Sequence, residues 1–81
     1  MVKISGVEKN SFAERAGIAA GDILVSVNGN GIADVLDYRF YLFEPRLELK
    51  LLRDGAEYTA VIKKPRYDDI GLEFLTSLMD E

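Results

Sequence analysis

The segment from Ala13 to Gly29, AERAGIAAGDILVSVNG, limits the possible folds of this chain more than any other stretch. Ser11 stands where it can cap a short helix over Phe12 to Ala16, with Glu14 in the first turn and Gly17 at the left-handed position that ends many helices. Ile18 then enters the core and Ala20-Gly21-Asp22 turns the chain. Ile23, Val25 and Val27 alternate with Leu24 and Ser26, which predicts a strand facing inward through the first set, before Asn28-Gly29 reverses direction. A short helix followed by a strand with a turn at each end leaves no room for a long helix over Ile23 to Val27.

The flanking sequence extends this pattern. Val2, Ile4 and Val7, interleaved with Lys3 and Ser5, predict a first strand that leads through Glu8-Lys9-Asn10 into the short helix. Beyond the reversal, Ile32 anchors the chain and Asp34 caps a second helix over Val35 to Phe43, which Pro45 terminates. Its apolar residues fall into two stripes, Val35, Tyr38 and Leu42 on one side and Leu36, Phe40 and Phe43 on the other. Arg39 lies on one flank, Asp37 and Tyr41 on the opposite one. Leu47, Leu49 and Leu51, the Asp54-Gly55 turn, and Tyr58, Ala60 and Ile62 then read as a β-hairpin.

Composition decides what such a fold can be used for. The 81 residues make one domain, 1–81, near the size where a single core gives only marginal stability. A net charge of −4 argues against an anionic nucleic-acid partner. With no cysteine and no histidine, disulfides, thiol chemistry, the usual zinc ligation and histidine general-base catalysis are absent, so no cofactor or metal is expected. Ser11, Ser26 and Ser77 have no histidine to activate them, so an enzyme is not expected. No run approaches membrane-spanning length and the start lacks a signal-peptide pattern, which makes a cytoplasmic location without membrane contact the expectation.

Asn10 to Ile18 followed by Ala20 to Gly29 resembles the central signature of PDZ domains, in particular the bacterial kind found beside periplasmic serine proteases and processing peptidases. Leu51-Leu52-Arg53-Asp54-Gly55-Ala56-Glu57-Tyr58 also resembles the matching hairpin of those domains. The resemblance implies an α+β domain: a small, partly closed, mostly antiparallel sheet of five or six strands capped by two helices. It also implies a peptide-binding role for Ile70-Gly71-Leu72 and Phe74, because the family uses an apolar-Gly-apolar loop to present backbone N–H groups to a C-terminal carboxylate. Here that loop comes last, as in the circularly permuted order of processing peptidases. Asp34 to Phe40, with Gly71 to Phe74, further resembles the N-terminal PDZ-like region of uncharacterised bacterial proteins that carry an iron-sulfur, radical-SAM-like domain downstream. That likeness implies an excised piece of a longer protein.

The expected core is Ile4, Val7, Ile18, Ile23, Val25, Val27, Ile32, Leu47, Leu49 and Ile62. The expected groove lies between the terminal strand and the second helix, lined by Ile70, Gly71, Leu72, Phe74, Leu36 and Phe40, with Lys64 and Arg66 assisting a carboxylate and Asp68 and Asp69 opposing it. Its occupant is either a peptide or protein segment, C-terminal or internal, added as a strand, or the parent chain's own downstream domain. A terminal strand that merely completes the sheet is the competing structural reading.

Overall fold

The computed structural model describes residues 1–75, so Ser77 lies outside the described residues. Six strands, β1 (Val2–Val7), β2 (Ile23–Val27), β3 (Asn30–Gly31), β4 (Arg46–Arg53), β5 (Ala56–Lys63) and β6 (Leu72–Phe74), form an antiparallel sheet with two helices, α1 (Phe12–Arg15) and α2 (Val35–Tyr41). The strand order is β5-β4-β2-β1-β6, with β3 paired to β2. Two-residue turns set the register. Asn28 and Gly29 have φ of 51° and 83°, and Asp54 and Gly55 have 53° and 83°, the positive pair that matches the twist of a tight hairpin. The β4–β5 hairpin then pairs without a break from Arg53↔Ala56 to Arg46↔Lys63.

Alternation puts Leu47, Leu49 and Leu51 of β4 and Ala60 and Ile62 of β5 into the core. In β2 the expected phase is corrected. Leu24 is fully buried, while Ile23 and Val25 are half-buried. The β2–β4 register runs Leu24↔Leu51 and then Ser26↔Lys50, so Val25 is an extra residue with no cross-strand partner. Such a bulge inverts the alternation, and Leu24 and Val27 both face inward despite their odd spacing. Val7, also expected inside, is half-buried and packs against the core's margin.

Both helices are capped as their sequences require and end early. The Ser11 hydroxyl accepts the Glu14 N–H at 3.1 Å, and the Glu14 carboxylate accepts the Asn10 N–H at 2.6 Å. The Asp34 carboxylate accepts the Asp37 N–H at 3.0 Å, while Asp37 accepts the Ala33 N–H at 2.9 Å. α1 stops at Arg15, one residue short of the expected end. α2 stops at Tyr41 rather than Phe43, because the Leu42 and Glu44 N–H groups bond three residues back, to Arg39 and Tyr41, as the chain tightens ahead of Pro45.

Among the described residues, two charged groups are buried, Asp22 and Lys64. The buried Asp22 carboxylate accepts two N–H bonds from Arg53, at 2.8 and 2.7 Å, one from Ala19 N–H at 3.0 Å, and the Tyr58 hydroxyl. Arg53 also donates to the Gly17 carbonyl at 2.7 Å, so the turn after α1 is tied to the tip of the β4–β5 hairpin. The Arg53 bonds, opposed by burial and helped by Tyr58 and Ala19, hold the Asp22 carboxyl down to about 2.

Candidate functional site

β6 forms the end of the sheet, pairing with β1 through Ile4↔Phe74, Gly6↔Glu73 and Val7↔Leu72. The segment leading into it is fastened to the start of α1. The Glu8 N–H donates to the Gly71 carbonyl and the Ala13 N–H to the Ile70 carbonyl, both at 2.9 Å. Ala13 is in the first turn of α1, where N–H groups have no partner within the helix, so the terminal loop satisfies one of them. Gly71 has φ +93°, and a Cβ there would collide with the Ser11 side chain, coming within 2.6 Å of its Oγ. No other residue type fits without displacing the N-cap of α1.

α2 reaches β6 through an aromatic pair. Tyr38 meets Phe74 edge-on, with ring centroids 5.0 Å apart, and Phe43 beyond the helix end meets Tyr67 at 5.9 Å. The Tyr38 hydroxyl is buried without a hydrogen-bond partner among the described residues. Burial first, then the negative charge of Asp69, with Arg39 opposing, raises this phenol well above its ordinary range. Tyr38 thus touches the terminal strand, although the sequence places it on the stripe opposite Leu36 and Phe40, the residues expected to line the groove. The signal for its role was chemical: a tyrosine at an inward position carries a hydroxyl that needs a partner.

The residues singled out from sequence are placed as follows. Ile70 is 0% exposed and belongs to the core, Leu72 is buried, and Phe74 is partly buried. Gly71 donates its N–H to the Asp69 carboxylate at 3.2 Å. Leu36 and Phe40 are 71% and 74% exposed and lie together on the outer stripe of α2, roughly 160 to 200° around the helix from Tyr38. Lys64, only 6% exposed, donates to the Arg66 carbonyl at 2.8 Å and the Pro65 carbonyl at 3.3 Å. Burial lowers its pKa, against the opposing pull of Asp68 and Asp69. Arg66 is exposed on the same turn. Among the described residues, no group of three or more His, Cys, Asp or Glu could hold a metal ion.

Comparison with known proteins bears on what this edge and helix form together. The family model described as PDZ domain matches residues 3–53, more than half of the chain. The chain belongs to the PDZ domain family. Two curated relatives, both serine protease HtrA-like proteins from strains of Staphylococcus epidermidis, are 33% identical over 67 residues, covering 76% of this chain and 12% of theirs. The chain therefore spans only about an eighth of those relatives, whose protease name is their own. The crystal structure of the PDZ domain of the SdrC-like protein from Listeria monocytogenes superposes with a TM-score of 0.78 over 99% of this chain and 93% of that one. Its sequence identity is 18%, so it establishes the fold. The family model ends at Arg53, whereas this superposition takes in the terminal strand of the PDZ domain as well. As a PDZ domain, the chain is a protein-interaction module.

Proposed function

We propose that this PDZ domain binds an extended polypeptide segment as an added strand along the outer edge of β6, beside α2. The observation that carries the reading is the placement of β6: it ends the sheet, pairs with β1, and has α2 alongside it through the Tyr38–Phe74 contact. An added strand gains a ladder of main-chain hydrogen bonds there, and side chains on the strand and helix supply selectivity. Gly71, Leu72 and Phe74 form the strand side over the buried Ile70, and Tyr38 meets that strand from α2, while Leu36 and Phe40 lie exposed on the helix's outer stripe. With so short a strand, affinity is expected on the order of micromolar or weaker. Titrating the 15N-labelled domain with a peptide library tests it: saturable shifts over Gly71 to Leu75 and α2 support the proposal, and shifts elsewhere or none overturn it.

A second reading is that the same face docks a neighbouring domain of its own chain. The exposed Leu36, Phe40 and Phe43, next to an exposed Tyr67, favour it, since strand addition alone does not need an apolar outer stripe. In that case the neighbour would be the iron-sulfur, radical-SAM-like domain that the resemblance of Asp34 to Phe40 implies. Peptide binding by the isolated domain that disappears in the longer parent protein would favour this second reading.

A further inference from the structure

The loop before β6 has the backbone turn suited to an anion but is already supplied with one. Gly71, at φ +93°, donates one of the N–H groups expected to meet a terminal carboxylate to Asp69 instead, at 3.2 Å. The Ile70 and Gly71 carbonyls are bonded to Ala13 and Glu8. Lys64 is buried and holds the carbonyls of Pro65 and Arg66, so its ammonium is committed to the shape of the turn. Arg66 is exposed on the same turn as the exposed Asp68 and Asp69, which oppose an incoming carboxylate. Ile70 is wholly buried, so it does not wall an open pocket for a terminal side chain.

A ligand ending in a free carboxylate would displace Asp69 from its bond and bring a third negative charge to the turn. A chain that passes through brings no charge at that point, and a cationic side chain there gains two carboxylates. Building on the strand-addition reading, we propose that the groove takes an internal extended segment without a free C-terminus, carrying a lysine or arginine where it passes Asp68 and Asp69.

The test uses a random heptapeptide library in three formats: free C-terminal acid, C-terminal amide, and the same heptapeptides embedded between Gly-Ser flanks. Selected sequences are measured by fluorescence polarisation against the domain. The expected result is that amides and embedded segments bind at least as tightly as the acids, with Lys or Arg enriched at one fixed position. Asp69→Ala should then improve binding of the free acids by about tenfold and erase that enrichment. Asp69→Asn, which keeps an acceptor for the Gly71 N–H, should erase the enrichment while the loop stays formed. Free acids preferred about tenfold or more by the unaltered domain, or an acid-to-amide ratio that Asp69→Ala leaves unchanged, overturns the inference alone. Failure of all three formats to bind overturns the strand-addition reading and the inference with it.

Discussion

Gly71 stands where a left-handed backbone and close contact with Ser11 coincide. Gly71→Ala should therefore cost about 2 kcal/mol or more in urea denaturation, combining left-handed strain with displacement of the α1 cap. Asp22 governs acid stability. Its carboxyl titrates at about 2 in the fold against 3.8 for the ordinary side chain, so the ionised form is the one that folding favours. The stabilisation is complete above the unfolded value and is lost as pH falls from about 4 toward 2. It amounts to roughly 2 kcal/mol at most, since Arg53 is partly exposed. Denaturation midpoints measured across that window should fall steeply for the unaltered chain and much less for Asp22→Asn.

At the level of the element, α2 separates stability from surface. Phe40→Ser should change the unfolding free energy by about 0.5 kcal/mol or less, whereas Leu49→Ala, at a fully buried site, should cost roughly 2 to 5 kcal/mol. The half-buried Leu42→Ala should fall between them. Tyr38→Phe removes a buried hydroxyl without a partner among the described residues, and is expected to be neutral or stabilising by about 1 kcal/mol in the same assay. The separation of Tyr38 from the Leu36 and Phe40 stripe was legible in the 3.6-residue period, and the caps Ser11 and Asp34 and both positive-φ turns were legible from residue type; Leu36 and Phe40, expected to line the groove, are instead 71% and 74% exposed. The phase of β2 was not legible, because nothing local in Ile-Leu-Val-Ser-Val marks the bulge; the pairing with β4 creates it. The Asp22, Arg53 and Tyr58 cluster was also invisible, since its members are neighbours only after the hairpin folds back over the turn that follows α1. The same holds for Lys64, whose position in a basic run suggested a free charge and whose burial comes from the turn it closes.

The molecule as a whole depends on its last described strand. A chain truncated after Asp69 would lose the buried Ile70 and Leu72 and leave β1 without a neighbour on one side. Each side chain contributes about 1.5 to 3 kcal/mol by burial, a large share of what a domain this small can hold. Circular dichroism and size-exclusion chromatography should show the truncated chain unfolded or self-associated. The pairing of β1 with β6 also sets an order of events during synthesis. Among the described strands β1 leaves the ribosome first, yet the partner on its outer edge emerges last of them, so closing that pair spans almost the whole described chain. Throughout elongation the nascent domain has its helices and hairpin but no β6 edge. On the proposed strand-addition reading, capture of a partner is postponed until translation has passed Phe74, and until then the unpaired edge of β1 is the surface that a chaperone would have to guard.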